Sequence, residues 1–227
     1  MNASASEPVC PAACARFDQV SKLFGVFAAL RQVSVEFETG RCYVVLGENG
    51  AGKSTLLRIL AGLLRPSFGR VTVFGSHEPQ QARARIGYMS HAAMLYDELT
   101  AEENLRYFRS LYPGRACLSP AEALRQVGLD PALDRPLGQY SQGMRQRASL
   151  ARVLLSAPEL LLLDEPFSNM DAESAHQMVA VLAGLRKGRR TIVLTTHQRE
   201  LAAPIADRVL TLRSGRVASL ESGRPLR

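Results

Sequence analysis

The chain has no tryptophan and few aromatic residues of any kind, 6% in all. Its four cysteines (Cys10, Cys14, Cys42, Cys117) are too few and too unevenly spaced for a disulfide framework. The stretch "CPAAC" lacks the second ligand pair of a structural zinc site, so reduced thiols are expected. Lysine is scarce, occurring only as Lys22, Lys53 and Lys187. The net charge of +7 therefore rests on arginines, and these are scattered instead of gathered into a tract or a basic helix. That argues against a nucleic-acid partner. No apolar run reaches the roughly 18 residues of a membrane span, and the start "MNASASEPVCPAACARF" has neither the basic opening nor the apolar core of a signal peptide. The expectation is a chain that neither spans a membrane nor is secreted by that route.

What is present is a globular chain of 227 residues, 46% of them hydrophobic, enough to bury a full core. "ARFDQV", "VSVEFE" and "RVTVFG" alternate apolar and polar residues as half-exposed strands do. By contrast, "CYVVLG", "LLLLD" and "TIVLTT" are short continuous apolar runs, which suit strands covered on both faces in a parallel sheet. Together they predict an α/β core with an antiparallel β layer. From about residue 90 to 158 the strand signals vanish. There Thr100 with Glu103, and Ser119 with Pro120 and Glu122, read as capping boxes opening helices. The predicted organisation is a flexible leader over 1–14, a single domain over 15–220 with a helical insert over 90–158, and a short solvated tail over 221–227.

The segment "GENGAGKST" follows an apolar strand and opens a helical pattern. Gly47, Gly50 and Gly52 let backbone N–H groups turn inward around phosphate oxygens, and the helix N-terminus adds partial positive charge. Lys53 can reach β- and γ-phosphates, and the Ser54 hydroxyl can ligate Mg²⁺. "LLLLDEP" ends a buried strand in Asp164, at the sheet edge where the cradle opens. Glu165 comes next and, by strand alternation, is expected to point away from Asp164 toward an attacking water. In "YSQGMRQRASLARVLL", Ser141 is a natural N-cap and Gly143 permits close backbone approach, giving a second anion site that one triphosphate does not need.

Taken together and in this order, these motifs resemble the ABC-type ATPases, the nucleotide-binding subunits of ATP-driven transporters. Gly47, Glu48, Asn49, Gly50, Ala51, Gly52, Lys53, Ser54 and Thr55 resemble the Walker A loop. Asp164 and Glu165 resemble Walker B with its catalytic glutamate, Ser141 and Gly143 the signature sequence, "SNMD" the D-loop, and His197 the switch histidine. Phe24 stands where the family has an aromatic that stacks on adenine. The resemblance is collinear from about residue 15 to 218. It implies a P-loop NTPase core, ATP and Mg²⁺ as cofactors, and Ser54 and Asp164 as metal-binding residues. It also implies a homodimer or heterodimer in which Ser141 and Gly143 hold the γ-phosphate of the opposite subunit's ATP. Transmembrane permease subunits would be the partners, with the chain peripheral on the cytoplasmic face of the membrane.

His91 takes the place of a glutamine that, in most of the family, touches Mg²⁺ or the attacking water. It is carried forward as a candidate catalytic residue. The histidine, with "TTHQ" and "DEPFS", is similar to the ATP-binding subunit of the cytochrome c maturation haem exporter. The pattern also fits exporters with type-2 permeases. A soluble ABC ATPase acting on ribosomes or DNA, and a binding module without turnover, are the competing classes. Residues 92–99 are expected to form the docking face, whereas His77 and His176 are expected at the surface and Cys42 in the core.

Overall fold

The computed structural model describes residues 13–112, 117–187 and 190–223. The three continuous apolar runs become interior strands: β3 (Cys42–Leu46), β6 (Leu160–Asp164) and β7 (Thr191–Thr195) are buried at every position. They are joined by β5 (Ile86–Met89), β8 (Arg208–Arg213) and β9 (Arg216–Ser222) in one six-stranded sheet of order β5-β6-β7-β3-β8-β9. Pairing is parallel throughout except for the antiparallel edge strand β9. Because side chains alternate along a strand, each run feeds two cores. Leu161, Leu163, Ile192 and Leu194 pack with α4 (Gln142–Leu154) and α5 (Ala172–Lys187). Leu160, Leu162 and Val193 pack with α1 (Lys53–Leu60) and the second sheet.

That second sheet holds the alternating segments β1 (Ala13–Phe24), β2 (Phe27–Glu38) and β4 (Phe68–Val73), antiparallel in the order β2-β1-β4. Between β5 and β6 the described residues form helices and no strand: α2 (Ala101–Ser110), α3 (Pro120–Gln126), a short 3₁₀ turn (Leu137–Gln139) and α4. Both expected capping boxes are formed, Thr100 with Glu103 and Ser119 with Glu122. A short α6 (Arg199–Ala202) precedes β8.

The expected borders shift at both ends. β1 begins inside the expected leader, because Cys14 is a buried core residue, and β9 runs to Ser222, inside the expected tail. The rest of the leader and of the tail lies outside the described residues. Cys42 is fully buried, and His77 and His176 are exposed, as expected.

Candidate functional site

The loop between β3 and α1 wraps the N-terminus of α1. Gly52 caps the helix at φ 102°, and a β-carbon there would lie 2.5 Å from the Ala29 carbonyl oxygen, so no other residue fits without moving β2. Lys53 is almost fully buried and donates to the loop's own carbonyls, to Gly47 O at 2.8 Å and Glu48 O at 3.3 Å. Its Nζ also stands 3.6 Å from Glu165 Oε1. An ammonium held this way has partners that an incoming phosphate can replace.

At the carboxyl edge of the sheet, Asp164 is 4% exposed. Its Oδ1 accepts from Ser54 Oγ at 3.0 Å and from Thr195 Oγ1 at 2.8 Å. Thr195 Oγ1 in turn accepts from the Glu165 N–H at 3.0 Å, so the threonine on the neighbouring strand fixes both acids. Sequence reasoning missed Thr195, which looks like one more β-branched residue of a buried strand. The expected alternation of Asp164 and Glu165 is not what aims Glu165. Its backbone leaves the strand at φ 52°, in the left-handed region, a conformation costing about 1 kcal/mol that the surroundings must hold. This turn brings its carboxylate between Lys53 and His197, with His197 Nδ1 at 3.2 Å from Oε2.

His91 does not reach this group directly. Its Nδ1 lies 3.3 Å from Ser168 Oγ, whose single proton is given to the Glu165 carbonyl oxygen at 2.9 Å. The proton count then makes Nδ1–H of His91 the donor, leaving Nε2 free for another contact. His91 therefore couples to the backbone of Glu165 through Ser168, a link the linear motifs do not reveal.

Two cavities flank the loop. One, of about 260 Å³, is lined by Phe24, Phe27, Ala29, residues 48–55 and Glu165. A larger one, of about 420 Å³, lies behind the loop against His197, Arg199 and residues 211–214. Only the first joins the N-terminus of α1, Lys53 and Ser54 to an aromatic wall, the combination a purine nucleotide needs. Phe27, 57% exposed, adds a second ring beside Phe24, 48% exposed. Neither cavity is lined by Ser141 or Gly143. Ser141 caps α4, accepting from the Met144 N–H at 3.2 Å, and its surface is exposed. The close approach expected at Gly143 exists within the chain, since a β-carbon there would meet Ser174 of α5 at 2.5 Å. The glycine thus packs the two helices together. Among the described residues no three of His, Cys, Asp and Glu cluster to hold a metal on their own. Ser54 and Asp164, joined by the hydrogen bond between their side chains, are the pair expected to hold Mg²⁺ and supply two oxygen ligands at most.

The comparisons with known proteins decide the family. Residues 30–168 match the ABC transporter family. The chain belongs to that family. It is 38% identical over 213 residues to Nod factor export ATP-binding protein I of Rhizobium johnstonii, covering 91% of this chain and 68% of that protein. It is 40% identical over 193 residues to a fluoroquinolones export ATP-binding protein of Mycobacterium tuberculosis, covering 83% of this chain and 64% of the relative. A dimeric ATP-binding cassette solved after hydrolysis with ADP and Pi superposes with a TM-score of 0.82 at 25% identity, over 93% of this chain and 100% of that one. The cassette is an ATP-binding, ATP-hydrolysing domain of the ABC transport ATPases. The narrower likeness to a haem exporter finds no support in these relatives, which are named for Nod factor and fluoroquinolone export.

Proposed function

We propose that this cassette energises export through separate membrane permease subunits, working as half of a dimer with ATP at the seam. The observation that carries the reading is the split between anion sites. Lys53, Ser54, Asp164, Glu165 and His197 converge beside one cavity, while Ser141 caps an exposed helix start that lines neither cavity. A second copy supplies the missing half in this reading, and the dimeric form of a solved relative supports it. Export of a cargo other than haem is favoured by the relatives' names, Nod factor and fluoroquinolones.

In the mechanism, Lys53 exchanges its carbonyl partners for β- and γ-phosphate oxygens, and Phe24 with Phe27 takes the adenine face. The Ser54 hydroxyl and the Asp164 carboxylate hold Mg²⁺, which when bound neutralises phosphate charge. Glu165, 19% exposed at its side chain and free of Lys53 once phosphate arrives, accepts a proton from the attacking water. His197 fixes the other oxygen of that carboxylate, and Ser141 with the N–H groups at the start of α4 caps the γ-phosphate of the opposite copy.

The permease contact is proposed on residues 92–99 and the adjoining face of α2. Met94, Tyr96, Tyr107 and Leu111 are exposed there, and the Tyr96 and Tyr107 rings stand edge to face 5.3 Å apart. Asp97, half exposed, is paired with Arg145 of α4. That pair ties the docking segment to the element bearing Ser141. Peripheral residence on the cytoplasmic face follows from this reading; among the described residues no helix is long and apolar enough to cross a membrane. The test is Met94→Glu with Tyr107→Glu, co-expressed with a candidate permease chain that co-purifies with the wild type. Retained ATP turnover of the isolated cassette with lost co-purification is expected. Undiminished co-purification places the contact elsewhere.

A further inference from the structure

The interior of β7, Ile192 to Leu194, is apolar, and the strand ends in Thr195, which is fully buried. A valine would suit that strand position as well, and burying a hydroxyl costs stability unless it finds partners. The Thr195 hydroxyl finds two, and both belong to the acids at the end of the neighbouring strand. Its proton goes to Asp164 Oδ1 at 2.8 Å, and its oxygen accepts from the Glu165 N–H at 3.0 Å. One hydroxyl has one proton to give, so the two bonds run in opposite senses and both are satisfied.

Asp164 opposite Thr195 is the last rung between β6 and β7. Beyond it Glu165 leaves the sheet at φ 52°, and its N–H takes the Thr195 side chain where a strand would have continued the ladder. The Glu165 carbonyl oxygen is held from the other side, accepting from the Ser168 N–H at 3.1 Å and from Ser168 Oγ at 2.9 Å. A glutamate in the left-handed region is thus clamped at both of its backbone polar groups, as a conformation that costs free energy must be. The next residue of the chain after Thr195 adds to this: Thr196 Oγ1 accepts from the Gln198 N–H at 3.0 Å, fixing the turn that carries His197. We propose that Thr195 is a positioning residue for hydrolysis, its hydroxyl holding Glu165 in the left-handed turn and in register with Asp164, so that base and metal-binding acid face one γ-phosphate. Being fully buried, it acts only through the two acids. The inference rests on the roles given above to Asp164 and Glu165.

The test compares the wild-type full chain with Thr195→Val, which keeps the shape and removes the hydroxyl, Thr195→Ala, which removes the methyl as well, and Thr195→Ser, which keeps the hydroxyl alone. Two hydroxyl-free variants of different size keep the comparison intact where one packs poorly. In the nucleotide-free protein, amide exchange followed by NMR is expected to show a slow Glu165 N–H in wild type and Thr195→Ser, and exchange at least about tenfold faster in the other two. In MgATP, kcat is expected to fall at least about tenfold in both hydroxyl-free variants and to stay within about threefold of wild type in Thr195→Ser, while ATP affinity in EDTA stays within about twofold throughout. Wild-type kcat in Thr195→Val overturns the inference and leaves the hydroxyl a cap on the strand end. Equal losses in Thr195→Val and Thr195→Ser overturn it too, assigning the effect to the methyl group, and unchanged Glu165 exchange removes the clamp. Glu165→Gln is measured alongside: turnover at the wild-type rate there ends the base reading and this inference with it, whereas an inactive Glu165→Gln beside a fully active Thr195→Val ends the role of Thr195 alone.

Discussion

At the scale of single residues, the proposed mechanism has the side chains of the site exchange partners when nucleotide binds. His197 illustrates this: its one contact with catalytic machinery is Glu165 Oε2 at 3.2 Å, so its loss should affect chemistry and spare binding. His197→Ala is expected to lower kcat by about a hundredfold or more, in line with loss of a preorganised group, while ATP affinity stays within about twofold. A fall in affinity matching the fall in kcat would place His197 among the binding groups instead. The thiols give a second residue-scale prediction. Burial pushes Cys14 up to about 11 and Cys42 up to about 12, so neither is a thiolate near neutral pH. Alkylation at pH 8 followed by peptide mass analysis should leave both unmodified in the folded protein and label both in denaturant. Rapid labelling of Cys42 under native conditions would contradict the placement of β3 in the centre of the sheet.

At the scale of elements, the helical insert is held by local chemistry of two kinds, and only one was legible in advance. Capping boxes are written in residues three apart, so Thr100 with Glu103 and Ser119 with Glu122 could be read directly. Asn104 could not. It is fully buried on α2, and its Oδ1 accepts from the Tyr96 N–H at 2.8 Å while Nδ2 donates to the carbonyls of Tyr96, Leu99 and Thr100. One side chain therefore fixes the path of residues 96–100, which depends on how the loop folds back and not on spacing. Asn104→Ala should cost about 3 kcal/mol, the penalty of leaving several buried backbone groups without partners. Chemical denaturation measures it; a loss under about 1 kcal/mol would mean that water or the loop makes good the missing bonds. The same limit hid Thr195 and the backbone turn at Glu165. In both, the deciding contact crosses between strands or turns the chain out of the strand geometry that a linear reading assumes.

The cap carboxylates also set a pH dependence. Glu103 is held below its usual value chiefly by the Thr100 N–H, Glu122 chiefly by the Ser119 hydroxyl, and Asp171 chiefly by the Ser174 N–H at the start of α5. Each is lower in the folded than in the unfolded chain. Their stabilisation is therefore complete above the unfolded carboxylate value, roughly pH 4 to 4.5, and fades as pH falls through the folded values. Thermal midpoints should be level from pH 7 to about 5 and decline below about 4. Glu103→Gln with Glu122→Gln should flatten that decline, and an unchanged acid limb would assign it to other groups.

At the scale of the whole molecule, the α/β core, the antiparallel layer and the helical insert were legible because long-run hydrophobic pattern fixes which strands are covered on one face and which on two. The hairpin of β8 and β9 was not: arginines at 208, 213 and 216 interrupt its pattern, and its outer strand is largely exposed at the sheet edge. On the proposed reading no single chain contains the complete nucleotide site, since Ser141 stands apart from both cavities beside the phosphate loop. The central claim is that ATP joins two copies and that its hydrolysis at Glu165 releases them. The most direct measurement is sedimentation of Glu165→Gln with and without MgATP, alongside its steady-state turnover. A monomer that becomes a stable dimer on adding MgATP, with turnover reduced by at least about a hundredfold, is the predicted result. A variant that binds MgATP and stays monomeric, or one that hydrolyses it at the wild-type rate, would contradict the account.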